Sequence, residues 1–175
     1  MGPSMRYPFN NRSFFTGQEI RPIGGGIVLW RGYFQSLRPA IDRMLINVNT
    51  STSAMYRPGN LMDLALEFLN KPGRPDALEP GHGLLDNERL RLQEFILGIK
   101  VIAPPRTSDT DAKHLIKKLT REGSRERKFS IGDGQIMTVA QYFQDLLNIP
   151  LQYPDVICVV VCATFSYPFA CSYTP

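Results

Sequence analysis

Histidine and cysteine are scarce in this chain of 175 residues. There are two histidines, His82 and His114, and three cysteines, Cys158, Cys162 and Cys171, all within the last eighteen residues. An odd cysteine count crowded at one end is a poor disulfide framework. Structural zinc wants closely spaced cysteine and histidine ligands, so no metal and no other cofactor is expected. Free thiols fit a reducing compartment, and a cytoplasmic location is expected. A signal-peptide-like apolar stretch is also missing, because Arg6, Asn10, Asn11 and Arg12 interrupt the first fifteen residues. Acidic residues fall in no recognisable metal-binding pattern, and no Ser/His/Asp or Cys/His arrangement stands out. Asp63, Glu67, Asp86 and Glu88 therefore read as helix caps and solvated faces, and the chain is not expected to be an enzyme. Charge is absent from Val156 to Pro175. The steadily apolar part of that tail is about ten residues, against the ~20 that a membrane-spanning helix needs. A buried strand over Val156–Val161 with a frayed end is expected there, and no membrane partner.

What is present is ordinary in bulk. A hydrophobic share of 43% permits a core, and the length fits one domain or a small domain with an appendage. The net charge of +4 and a pI near 9.1 permit an anionic partner without demanding one. Tryptophan occurs once, at Trp30, in the run Ile27 to Pro39 behind Gly24-Gly25-Gly26. That run and Met44 to Asn49 beyond it read as two β-rich stretches joined by a short polar connection, a hairpin.

Along the chain, residues 1–26 read as an irregular lead-in, and 27–37 and 44–56 as strands. Leu61, Met62, Leu64, Ala65, Phe68 and Leu69 share one helical face, with Asn60 as N-cap and Asp63 suiting the helix dipole. Residues 70–83 hold three prolines and three glycines, so a linker without regular structure is predicted, and a boundary with it. A second helix is predicted from Asn87 to Leu97, capped by Asp86 and stopped at Gly98. A strand follows over Ile99–Ala103, and residues 104–112 read as a loop. Gly132-Asp133-Gly134 reads as a turn. Thr138-Val139-Ala140-Gln141 is a capping box that opens a helix to about Leu147, ended by Asn148 and Pro150.

Two constellations carry candidate chemistry. Residues 113–128 hold seven cations (Lys113, Lys117, Lys118, Arg121, Arg125, Arg127 and Lys128) against Glu122 and Glu126, an excess greater than the net charge of the whole chain. Lysine and arginine neutralise phosphates and release counterions; taken alone, a charge run reads more readily as a solvated face. Phe129 closes the run, and Tyr142 and Phe143 stand on the capped helix. Positive grooves with aromatic stacking faces bind single-stranded nucleic acid. Tyr142 and Phe143 are adjacent and face different directions, so either the Tyr142/Leu146 or the Phe143/Leu147 stripe is the buried one.

Several motifs resemble the eukaryotic Argonaute family, in particular fungal-like members. Arg6-Tyr7-Pro8-Phe9-Asn10-x-Arg12-Ser13-Phe14-Phe15, the Trp30 run, and Ser51 to Phe68 with Met55-Tyr56-x-Pro58-Gly59 are similar to that family's first linker and its approach. Thr138 to Phe143, then Asn148-Ile149-x-Leu151-x-Tyr153-Pro154, resembles the helix stretch of its PAZ domain. The resemblance implies four segments: 1–26 as the end of an N-terminal region, 27–83 as the first linker, 84–158 as a partial PAZ domain, and 159–175 as a divergent tail. The implied fold is α+β: a linker hairpin plus helix, then an OB-like β-barrel with an inserted αβ element, incomplete at its last strand.

By position, the resemblance makes Phe129 the aromatic of the inserted element and Tyr142 a phosphate-holding tyrosine. His114 stands where the family usually has a tyrosine, and Lys113 and Arg121 match basic positions on neighbouring strands. With Lys117, Lys118, Arg125 and Lys128, these are the candidate RNA-binding residues. The implied partner is the 3′ end of a small single-stranded guide RNA, with other silencing proteins beside it. Departures from the pattern are Leu146 and Leu147 in place of a lysine-tyrosine pair, no histidine near Pro104-Pro105-Arg106, and no glycine turn or closing strand after Asp155. A barrel lacking that strand would present an unpaired edge and apolar surface. This motivates a second expectation, an Argonaute-derived interaction fragment that has lost RNA 3′-end binding.

Overall fold

The structure, a computed structural model, describes residues 6–8, 12–81, 83–102, 113–130, 136–161, 166–168 and 172–173. The chain divides into two compact units, one ending at Arg57 and one beginning at Pro58. The predicted loop 104–112 and the predicted Gly132-Asp133-Gly134 turn lie outside the described residues, as do His82, Cys162 and Cys171.

The first unit is one antiparallel sheet in the order β1-β2-β3-β4, with β1 Arg6–Pro8, β2 Ser13–Gly24, β3 Ile27–Ala40 and β4 Arg43–Tyr56. The expected hairpin is present and longer than predicted. It pairs Ile27 with Tyr56 at one end and Ala40 with Arg43 at the other, leaving a two-residue turn in which Asp42 adopts φ 67°. Among the described residues of the lead-in, Ser13–Gly24 is a strand and not irregular, because it pairs with β3 along most of its length. The pairing shifts register between Thr16 and Ile20 and again between Pro22 and Gly24. Each bulge reverses which side chains face inward, so no period-2 pattern survives in the sequence. Gly24, Gly25 and Gly26 take φ of 94°, 60° and 77° between the strands, a left-handed run that a β-carbon would strain. Period-2 alternation on β3 buries Val28 and Trp30, which pack with Phe15 and the half-buried Met55.

The second unit opens with β5 Gly59–Asn60 and α1 Leu61–Phe68. Asn60 Oδ1 accepts the Met62 N–H at 2.9 Å, as the N-cap assignment requires. Leu61, Met62, Leu64, Ala65 and Leu66 are buried. Residues 70–83 contain one 3-10 turn, Pro75–Leu78, whose Ala77 and Leu78 are buried in the core. Proline at the first position of that turn is compatible with helical φ, which is why a short helical turn forms where none was predicted. Lys71 fastens this segment, its Nζ donating to Gly83 O at 3.1 Å and to Glu88 at 2.9 Å. That hydrogen bond holds the Glu88 carboxyl below the usual carboxylate range.

Helix α2 runs Asp86–Ile96, one residue earlier than predicted. Leu85, not Asp86, is at the N-cap, and Glu88 Oε2 reaches back to the Leu85 N–H at 3.2 Å. Asp86 is engaged instead with the buried Arg89, at 3.1 Å. The remaining strands are β6 Lys100–Ile102, β7 Lys113–Leu115, β8 Lys118–Gly123, β9 Lys128–Ser130, β10 Ile136–Thr138, β11 Ile157–Val160, β12 Ser166–Pro168 and β13 Ser172–Tyr173. They form three open sheets, β5-β13-β6-β7, β12-β11-β8 and β10-β9, and no closed barrel forms among the described residues.

The tail departs from expectation. β11 is buried as predicted, but it is flanked on both sides, by β8 and β12, and β13 enters between β5 and β6. Strands β12 and β13 thus pair with β11 and with β5 and β6, where no further strand was expected, and the edges of these sheets are β12, β8, β5 and β7. Among the described residues no helix is long and apolar enough to cross a membrane.

Candidate nucleic-acid interface

The inserted element is built outward from Gly123. Gly123 closes β8 opposite Ile157, and its α-carbon faces the Asp155 backbone so closely that a β-carbon would collide with the Asp155 carbonyl. Its own carbonyl accepts from Glu126 N–H at 3.1 Å and Arg127 N–H at 2.9 Å, which turns the chain into β9. The next two carbonyls of consequence, Ser124 O and Arg127 O, accept the N–H groups of Ala140 and Val139, each at 2.9 Å. Those are donors at the start of a helix, which have no partner inside it. The turn thus seats helix α3, Val139–Gln141.

The capping box predicted at Thr138 is complete. Gln141 N–H donates to Thr138 Oγ1 at 3.2 Å and Thr138 N–H to Gln141 Oε1 at 2.9 Å. The helix continues differently from expectation: Tyr142–Leu146 form a wide π-type turn. Asn148 ends it at φ 52°, and Ile149 N–H returns to Phe143 O at 2.9 Å. That return spans one residue more than the usual helix-end loop, as an extra residue in the turn requires.

This geometry decides between the two stripes. Phe143 is 1% exposed and packs with Val139 and Cys158, with Leu147, Ile149 and Leu151 around them, whereas Leu146 is 57% exposed. Tyr142 is half-buried, and its ring meets Phe129 edge-on at 5.4 Å between centroids and Phe143 at 5.8 Å. Edge-to-face pairs of this kind contribute about 0.5–1.5 kcal/mol each beyond their burial.

Beneath the rings lies a polar hub. Thr120 Oγ1 accepts the Cys158 N–H at 2.8 Å and donates to Glu122 O at 2.7 Å, while Ser124 Oγ lies 3.2 Å from Cys158 Sγ. Burial, opposed by hydrogen bonds from Ser124 and Thr120, pushes the Cys158 thiol up from 9.0 to about 11. An unfolded chain loses this proton first, so the contribution to stability falls as pH rises from 9.0 through about 11 and is constant below. Alkylation by iodoacetamide, followed by mass spectrometry of the Cys158 peptide, is expected to be slow in native buffer and fast in denaturant. Rapid native labelling would contradict the buried thiol.

The predicted basic residues do not converge on one point. Lys118 and Arg121 on β8 line one cleft of about 440 Å³ against α2, together with Arg89, Gln93, Glu122 and Arg127. Lys113 and His114 stand on β7 opposite Ile102 and Val101, Lys113 exposed and His114 half-buried. Lys117 is exposed between β7 and β8, its N–H donating to Val160 O at 2.8 Å. Lys128 is exposed on β9 opposite Thr138. Arg125 is drawn away by Asp155 at 3.2 Å, into a separate cleft with Glu79 and Glu126. Arg89 and Gln93 were missed by reasoning from the charge run; their spacing of four on one helix, followed by the nearby basic strand, was the available signal. Among the described residues no group of three or more His, Cys, Asp or Glu side chains is placed to hold a metal.

Comparison with known proteins follows the same division. The family model of the Argonaute linker 1 domain matches residues 10–57, and that of the PAZ domain matches residues 80–166. The structure is similar to Kluyveromyces polysporus Argonaute with a guide RNA, with TM-score 0.64 and 16% identity over 98% of this chain. This chain spans about a fifth of that protein, 21% of its length. It is also similar to the Drosophila Ago-PAZ domain in complex with 3′-end 2′-O-methylated RNA, with TM-score 0.53 and 26% identity over 67% of this chain and 99% of that one.

Proposed function

As the chain belongs to the Argonaute family, carrying its linker 1 domain and a PAZ domain, we propose that it is a non-catalytic binding module that holds the 3′ end of a small single-stranded guide RNA in gene silencing. The observation that carries this reading is the half-buried Tyr142, whose ring meets Phe129 at 5.4 Å beside the strands that bear the basic run. Stacking of a terminal base on an aromatic face contributes about 1–3 kcal/mol. The Tyr142 hydroxyl supplies a donor for a phosphate oxygen, and the cations on β7, β8 and β9 neutralise the charge that follows. The Drosophila Ago-PAZ domain, in complex with 3′-end 2′-O-methylated RNA, supports the ligand class. Other silencing proteins as partners and a cytoplasmic location belong to the same proposal.

His114 supplies a polar ring where relatives of the family usually carry a tyrosine, and Leu146 supplies no charge to the terminal phosphate. Affinity therefore rests on Phe129, Tyr142 and the basic strands. Tyr142→Phe keeps the ring contacts and removes the hydroxyl. A hydrogen bond to a charged group is worth about 1.5–3 kcal/mol, so RNA affinity is expected to fall at least tenfold with the fold retained. Unchanged affinity in a fluorescence-anisotropy titration would remove Tyr142 from the phosphate contact.

A further inference from the structure

We propose that the cleft between α2 and β8 is a second anion site, which takes a backbone phosphate of the nucleic-acid strand away from its 3′ end. This rests on the reading of the chain as an RNA-binding module. The cleft is about 440 Å³ and is lined by four cations against one carboxylate, Glu122. None of Phe129, Tyr142 or His114 lines it, so its ligand contacts differ from those of the terminal pocket.

The cleft is built, not merely basic. Arg89 is held inside it with its side chain 7% exposed, and its partner Asp86 is 73% exposed and screened by solvent. Arg127 reaches Glu122 through one terminal nitrogen at 3.3 Å, while its Nε is buried with no hydrogen-bond partner among the described residues. Gln93 Oε1 accepts the Leu119 N–H at 3.1 Å, which fixes that side chain and leaves its amide nitrogen as a donor. Lys118 and Arg121 are exposed, and neither side chain has an ion-pair or hydrogen-bond partner among the described residues. Guanidinium groups match phosphate oxygens in paired geometry, and lysine adds a point charge. β8 is an outer strand of its sheet. A site along such an edge suits a passing phosphodiester.

The test uses the whole 175-residue chain and a short single-stranded RNA, with its 3′ end either free or blocked, titrated across a salt series. Each phosphate neutralised on a single strand contributes ~0.7 to the slope of log K against log salt, so Lys118→Gln combined with Arg121→Gln is expected to flatten the slope by about 1.4. Affinity for the free-ended and the blocked RNA is expected to fall together, since Phe129 and Tyr142 do not line the cleft. Gln93→Glu keeps the acceptor for Leu119 and places a carboxylate in the cleft; affinity for the blocked RNA is expected to fall about tenfold, since like charge disfavours phosphate. Circular-dichroism melts confirm that each variant folds. An unchanged slope with the end preference intact overturns the cleft alone. Loss of end preference in the parent chain, with the slope change present, overturns the terminal pocket alone. Absence of RNA binding overturns both. Inorganic phosphate that displaces blocked RNA at submillimolar concentration and constant ionic strength would overturn a strand site in favour of a free-anion site.

Discussion

Phe143→Ala is expected to lower the stability of the second unit by about 3–5 kcal/mol and to abolish RNA binding. Phe143 is among the largest fully buried side chains, and it joins the wide turn Tyr142–Leu146 to Val139 and Cys158 beneath it. Truncation leaves a cavity among groups that cannot collapse, because the element is pinned by the hydrogen bonds of Val139 and Ala140 to the 124–127 turn. A domain is stabilised by only about 5–15 kcal/mol in total, so the loss takes a large share. Denaturant titration measures the first effect and anisotropy the second. Tyr142→Phe next to it is expected to do the opposite, keeping the fold and weakening only the ligand. A Phe143→Ala variant with parental stability would contradict the core assigned here.

Gly123→Ala is expected to cost about 1–3 kcal/mol, the usual range for forcing atoms into a packed site. The obstacle is backbone: the added carbon meets the Asp155 carbonyl and lies 2.9 Å from the Asp155 carbonyl carbon, so no side-chain rotation relieves it. β8 or the 154–156 segment must move, and with it the turn that seats α3. The melting temperature is expected to fall by about 2–4 °C per kcal/mol for a chain of this size. RNA affinity should fall as well, since that turn leads into β9 with Phe129 and seats the helix that leads to Tyr142. A melt equal to that of the parent would show that the Asp155 segment yields freely.

Some of this arrangement was legible in the sequence because it is local. Asn60 before an apolar helical stripe and Thr138 three residues before Gln141 each announce a cap, and both caps form. The β-rich run from Ile27 to Leu37 announces a strand, and β3 covers it. β2 was not legible, because two register shifts scramble its alternation. Nor was the choice of Leu85 over Asp86 at the start of α2: an aspartate is a good cap, but the pairing of Asp86 with a buried Arg89 depends on what covers Arg89. The tail strands β12 and β13 are three and two residues long. Such short pieces carry no periodicity, and only their partners make them strands.

For the candidate site, residue types were legible and their grouping was not. Phe129 and Tyr142 come together because a turn and a hairpin fold them face to edge. Lys118 and Arg121 share a cleft with residues of α2 that lie some thirty positions earlier in the chain, while Arg125, inside the same basic run, is turned toward Asp155. A linear charge run therefore overstated what one ligand can touch. The interaction-fragment alternative rested on Leu146, Leu147 and a missing closing strand; β12 and β13 pair at the tail, which weakens the second ground, while Leu146 stays exposed.

The most direct test of the account is the affinity of the whole chain for a short single-stranded RNA with a free 3′ end, against the same RNA with that end blocked, at low and moderate salt. Tighter binding of the free end is expected, a preference that persists at moderate salt because it comes from stacking and hydrogen bonding, while both affinities fall with salt. Equal affinity for the two RNAs at both salt concentrations would contradict it, leaving a basic surface without a terminal pocket.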